Sequence, residues 1–148
     1  MEERSELIEL HKRLSKTLDE EREAAKEKRH EKGYLTAREN LEYLVDEGSF
    51  VEYGQLAIAA QKSRRKLDEL RTETAADGII TGFGKINSKI LDSKKALSAI
   101  IINDYSVLAG TQGYYHHKKL DRICETAEKQ NLPVIMYTEG GGGRPGDT

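Results

Sequence analysis

The sequence predicts an α/β domain led by a charged helix. Three observations carry that expectation. From Leu97 to Tyr137 the chain reads strand, glycine turn, helix, strand, the order of a βαβ unit with parallel strands and a right-handed crossover. From Glu2 to Lys32 it is almost entirely charged and holds neither Gly nor Pro. At the other end a short apolar run, Val134 to Tyr137, opens into four consecutive glycines, Gly140 to Gly143.

In the leading segment Leu7, Leu10, Leu14 and Leu18 recur at helical spacing, which predicts one helix over residues 1–33 with a narrow apolar stripe and a solvated outer face. Acidic and basic side chains alternate along it, and this argues against a nucleic-acid arm. Gly33 should break the helix. Thr36-Ala-Arg-Glu39 is a capping box that starts a second, short helix burying Leu41, Leu44 and Val45, with Gly48 placed to end it. Phe50 to Tyr53 reads as a strand. Ala60 to Glu73 is polar and basic without a clear period, and reads as a loop or short helix, mobile together with its neighbours over residues 61–74.

Asp77-Gly78 is a turn. Ile79 to Ile86 reads as a strand interrupted by Gly82 and Gly84, Asn87 to Lys95 as a connection, and Leu97 to Leu108 as a buried strand. After Gly110-Thr111-Gln112-Gly113 the pattern turns helical, with Leu120, Ile123, Cys124 and Ala127 on one face and Asn131 and Pro133 closing it. Val134 to Tyr137 is then a second buried strand.

Composition bounds the function. Hydrophobic residues are 36% and charged residues 34%, so part of the chain must be solvated helix. The net charge of −2 gives no general attraction to nucleic acid or to an anionic membrane. No apolar run is long enough to span a bilayer, and the first residues lack the apolar stretch of a signal peptide. The single cysteine, Cys124, fits a reducing compartment and packs as a core thiol. Together these point to a cytoplasmic protein.

Three stretches could carry chemistry. The terminal glycines free the backbone from side chains and can leave N–H groups aimed into a cleft, where an anion or a carbonyl oxygen gaining charge is held. The bland alternative is a flexible tail. Gly141 and Gly146 have the separation of a phosphate loop, but Asp147 stands where its lysine belongs and would repel phosphate. Gly110 to Gly113 sets N–H groups at a helix N-terminus, suited to an anion or merely to a strand–helix connection. Tyr114 to Lys119 is densely polar. Adjacent histidines diverge by about 100° on a helix, so His116 and His117 should not share a metal and read as surface or supporting residues. Lys118 and Lys119 are solvated by default, though they could meet a phosphate.

The stretches ARENLEYLVDEGSFVEYG, ADGIITGFGKIN, DYSVLAGTQGYYHHKKL and LPVIMYTEGGGGRPGDT occur in the order seen in biotin-dependent carboxyltransferases, which the chain resembles from Leu35 to Thr148. These are the β-type subunits of acyl-CoA carboxylases. The resemblance implies part of a crotonase/Clp-protease-like spiral of ββα units, with residues 34–148 as the N-terminal part of an acyl-CoA-binding N-domain. It implies a carboxyl group moving from carboxybiotin, on a carrier domain elsewhere, to the α-carbon of an acyl-CoA. Partners would be the remaining carboxyltransferase domains, biotin carboxylase and biotin carrier modules, in a homo-oligomer, with no metal required. The family pattern of an acidic residue followed by Ser-Gly-Gly-Ala-Arg falls on Glu139 to Arg144. By resemblance Gly141, Gly142 and Gly143 are the catalytic backbone, and Gly110, Gly113, Lys119, Gly140 and Arg144 border the acyl-CoA. Gly140 and Gly143 replace the family's Ser and Ala, and the connection from Asn87 to Ala96 is long. A second glycine turn and a second domain are expected beyond this segment, which should not catalyse alone. The competing reading is a non-catalytic interaction module on a truncated spiral.

Overall fold

The computed structural model describes residues 4–147. Glu2 and Glu3 of the expected helix, and Thr148, lie outside them.

The leading segment is helical in two pieces, α1 (Ser5–Ser15) and α2 (Glu23–His30), not one. Leu18 is extended, at φ −97° and ψ 159°, and a single turn at Asp19–Glu21 follows. Tertiary polar contacts outweigh the helical propensity here. Arg22 is drawn inward to Asp104 (2.8 Å) and Ser106 (2.9 Å), Asp19 accepts from the Thr36 hydroxyl, and Thr17 accepts from Gln55 at 2.7 Å. A continuous helix would carry these groups away from their partners.

The capping box forms as expected and starts α3 (Ala37–Leu44): Thr36 Oγ1 accepts from the Glu39 N–H at 3.0 Å, and the Thr36 N–H donates to the Glu39 carboxylate at 2.8 Å. The helix stops before Gly48, because Val45 turns extended and Asp46 accepts from the N–H groups of Asn87 and Ser88. Leu41 is buried, whereas Leu44 and Val45 pack at the rim. The polar stretch after β1 (Val51–Tyr53) contains a helix, α4 (Leu67–Glu73), anchored by the fully buried Leu70.

One four-stranded sheet runs in the order β1, β2 (Ile79–Lys85), β3 (Leu97–Asn103), β4 (Val134–Tyr137). β1/β2 and β2/β3 are antiparallel; β3/β4 is parallel, with Ile101 opposite Met136. The glycines of β2 do not interrupt it. Instead Gly82 lets the Phe50 ring and the Val51 carbonyl pack where a side chain would stand. β3 ends at Asn103, well short of Leu108, because Asp104 accepts from the Ser106 N–H at 2.9 Å and turns the chain.

Each face of the sheet is covered. Ile80, Ile100 and Ile102 meet Ala37 and Leu41 of α3. Ile79, Ala99 and Ile101 meet Ile123 and Ala127 of α5 (Tyr114–Gln130). Burying each isoleucine contributes about 1.5–3 kcal/mol. Two expectations about this layer are corrected. Cys124 is exposed: it lies about 100° around α5 from Ile123, and the inward face is taken by His116, Lys119, Ile123 and Ala127. β4 is an edge strand on which Val134, Met136 and Tyr137 are exposed, not a buried one.

Candidate functional site

Parallel pairing puts the C-terminal ends of β3 and β4 side by side. Each end runs into a glycine turn, and the two turns press together. A Cβ on Gly110, whose φ is +64°, would lie 2.9 Å from the Gly140 Cα and overlap the Glu139 carbonyl; a Cβ on Gly140 would overlap the Gly110 carbonyl. Beyond this contact the chains bridge in parallel: the Gln112 N–H donates to the Gly142 carbonyl and the Arg144 N–H to the Gln112 carbonyl, both at 2.8 Å. The N–H groups of Gly141, Gly142 and Gly143 donate to no described residue. Gly142 takes φ +93° in open space. A cleft of about 210 Å³ lies at the strand ends, bordered by Asn103, Gly110, Gln112, Met136, Gly140 and Gly142. The glycine run is therefore docked against the domain rather than left as a loose tail.

Arg144 holds the run in place. Its guanidinium donates to Asp77 at 2.5 Å, to the Thr111 carbonyl at 2.7 Å and to Asp147 at 3.2 Å, with its side chain only 5% exposed. Asp77 and Asp147 also take the N-terminal N–H groups of α5: His116 donates to Asp77 at 2.7 Å and Tyr114 to Asp147 at 2.9 Å. The helix end, suited by its sequence to an anion or merely to a strand–helix connection, receives two of the protein's own carboxylates, and its dipole favours them. A Cβ on Gly113 would strike the ends of the Arg144 and Asp147 side chains, which would have to shift to admit it.

Lys119 is buried, not solvated. Its ammonium donates to the Ala76 carbonyl at 2.8 Å and to the Ile79 carbonyl. Burial lowers its pKa to about 8, while the nearby Glu52 pulls it upward. These bonds brace a turn in which Ala76 and Asp77 both hold φ +52°, the turn that presents Asp77 to Arg144. His116 is also corrected: it is fully buried, its Nδ1 lies 3.2 Å from the Asp77 carbonyl, and burial lowers its pKa to about 4, so the ring is neutral. His117 and Lys118 are exposed.

Glu139 is neutralised from outside the sheet. Arg29 of α2 grips both its oxygens, at 2.7 and 2.8 Å, and lies over the rings of Tyr34 and Tyr105. These residues border a larger cleft of about 570 Å³ with Lys28 and Lys32. Among the described residues no group of three or more His, Cys, Asp and Glu side chains converges to hold a metal ion, and no helix is long and apolar enough to cross a membrane. The arrangement leaves the main-chain N–H groups of Gly141, Gly142 and Gly143 without a partner among the described residues, beside a cleft that glycines help to line. That suits an oxygen gaining negative charge. Asp77, Asn103 and Arg29 were not visible as site residues in the sequence, where Asp77-Gly78 signals only a turn.

An antiparallel pair joined through a crossover helix to a parallel strand, with glycine turns at the strand ends, is one part of a crotonase-like ββα spiral. Residues 28–147 match the carboxyl transferase domain family, and the chain belongs to it. It is 37% identical over 138 residues to a biotin-dependent acetyl-/propionyl-coenzyme A carboxylase beta5 subunit of Mycobacterium tuberculosis, covering 93% of this chain and 23% of that protein. It is 33% identical over 115 residues to the propionyl-CoA carboxylase beta chain of Roseobacter denitrificans, covering 78% and 21%. Among solved structures, a single-chain, multi-domain long-chain acyl-CoA carboxylase matches with a TM-score of 0.95 and 49% identity, over 99% of this chain and 15% of the other. Transcarboxylase 12S with methylmalonyl-coenzyme A bound matches with a TM-score of 0.75 and 25% identity, over 99% and 27%. The chain spans less than a quarter of the length of these two curated relatives.

Proposed function

We propose that this chain forms part of an acyl-CoA carboxylase carboxyltransferase, which moves a carboxyl group from carboxybiotin to the α-carbon of an acyl-CoA. Residues 34–148 are the N-terminal part of the acyl-CoA-binding N-domain, and residues 1–33 a helical lead-in. The observation that carries this reading is the docked glycine run, in which the N–H groups of Gly141, Gly142 and Gly143 are unpaired among the described residues at the end of a parallel strand. As the α-proton leaves, charge moves onto the thioester oxygen, and Gly141, Gly142 and Gly143 offer it main-chain donors without side chains in the way. Gly110, Gly113 and Gly140 let the two turns approach each other. Lys119 and Arg144 have their charges committed inside the protein, so their part is to hold the turns rather than to meet a phosphate. Biotin supplies the carboxyl group from a carrier outside this chain; biotin carboxylase, carrier modules and further carboxyltransferase domains are the partners, in a homo-oligomeric assembly in the cytoplasm. Family membership favours this over a non-catalytic interaction module.

The test is carboxyl transfer to an acyl-CoA by the protein with its remaining domains, wild type against Gly142→Val, after both are shown to fold equally. An oxyanion donor is worth about 3–4 kcal/mol, so turnover should fall on the order of a hundredfold or more while CoA affinity changes little. Near-normal turnover would mean that the glycine run is only a connection.

A further inference from the structure

α1 buries none of its residues. Leu7 and Leu10, at 42% and 38% exposure, join neither hydrophobic cluster of the sheet. A helix of 11 residues is marginal in water when nothing covers its apolar stripe, so α1 calls for a partner. Its charges are divided along its length: Glu6 and Glu9 lie in the first half, Lys12 and Arg13 in the last turn. That order suits the helix dipole. It also makes the helix complementary to a copy of itself turned end for end. Glu6 and Arg13, seven residues apart, fall on one flank of the seam made by Leu7, Leu10 and Leu14. At the basic end Arg13 borders a cleft of about 240 Å³ with Lys62, Arg71, Leu56, Ile58 and Leu67, and no acidic residue borders it. Arg71 gives one N–H to Asp68, whose side chain is 92% exposed. Lys62 and Leu67 are exposed.

We propose that two copies of this chain pair through α1, antiparallel about a two-fold axis. Each copy sets Glu6 and Glu9 against the Arg13 end and basic cleft of the other, and the seams of Leu7, Leu10 and Leu14 close on each other. Every contact is made twice, as a two-fold interface requires. Parallel pairing is disfavoured, because it sets Glu6 against Glu6 and Arg13 against Arg13. The exposed apolar residues of β4, Val134 and Met136 among them, are the competing surface for a second copy. β4 itself bears no charged residue to set an orientation. The pairing does not rest on the acyl-CoA chemistry proposed above.

Sedimentation equilibrium of the chain tests the pairing. A contact this small is weak, so the wild-type dimer should dissociate with a constant on the order of 100 μM. Glu6→Lys with Glu9→Lys leaves α1 without an acid; Lys12→Glu with Arg13→Glu leaves it without lysine or arginine. Each double variant alone should self-associate at least about tenfold more weakly, because like charges then face each other. An equimolar mixture of the two should recover a one-to-one heterodimer of about wild-type strength. A variant that had merely frayed its helix would not be rescued by mixing. Three results overturn the proposal: a wild type still monomeric at about 1 mM, dimers undiminished in both variants, or a mixture that stays monomeric. The first leaves α1 to a different partner, and the second moves the contact to another surface such as the edge of β4.

Discussion

Arg144 Nη1 donates to Asp77 Oδ1 at 2.5 Å, tying the residue after the glycine run to a turn 67 residues earlier in the chain. Both side chains are almost wholly buried, at 5% and 0% exposure. Burial pushes the Asp77 carboxyl up, and the Arg144 guanidinium and the His116 N–H pull it back. The pair is the bolt between the βαβ crossover and the glycine run.

Removing one partner of a buried pair leaves the other charge unmatched, at about 3–5 kcal/mol. Asp77→Asn and Arg144→Met should each lower the unfolding free energy by roughly that amount in urea titrations, and the double variant should lose less than their sum. Additive losses would show that the two groups do not act as a pair.

The turn contact separates the glycines. Gly140→Ser introduces a Cβ that overlaps the Gly110 carbonyl, whereas a Cβ at Gly141 rests 3.5 Å from the Thr111 methyl at an ordinary backbone angle. Thermal unfolding should find Gly140→Ser destabilised by about 1–3 kcal/mol and Gly141→Ala within about 0.5 kcal/mol of the wild type.

His116 contributes to the acid side of the stability profile. Its folded pKa of about 4 lies below the ordinary 6.5, so the unfolded chain binds the extra proton first. Stability from this group is complete above pH 6.5 and falls as pH drops toward 4. Urea midpoints measured from pH 7 to 4 should decline less steeply in His116→Leu than in the wild type.

Lys119 acts in the alkaline range. Its folded pKa of about 8 lies below the ordinary 10.5, so between these values the unfolded chain again holds more protons and stability rises with pH. Lys119→Met should lack that rise relative to the wild type when unfolding is followed from pH 8 to 10.5. Parallel curves would mean that the ammonium is not held in its buried position.

Local pattern determined much of this protein by itself. The capping box at Thr36 and Glu39, the βαβ order and the parallel pairing of β3 with β4 follow from side chains acting within a few residues, or from the fixed hand of a crossover. The glycine run at a strand end, and the order of four motifs, pointed to the family. Tertiary structure decided the rest. Whether residues 1–33 form one helix or two depended on Arg22 finding Asp104, 82 positions away. Whether His116 and Lys119 face water or the interior depended on the turn at Ala76 and Asp77 arriving above α5. The sequence shows Asp77-Gly78 only as a turn and Asp147 only as a charge hostile to phosphate. The fold brings both carboxylates to Arg144 and to the helix end, because burial makes an unmatched charge costly and the chain folds where each finds its partner.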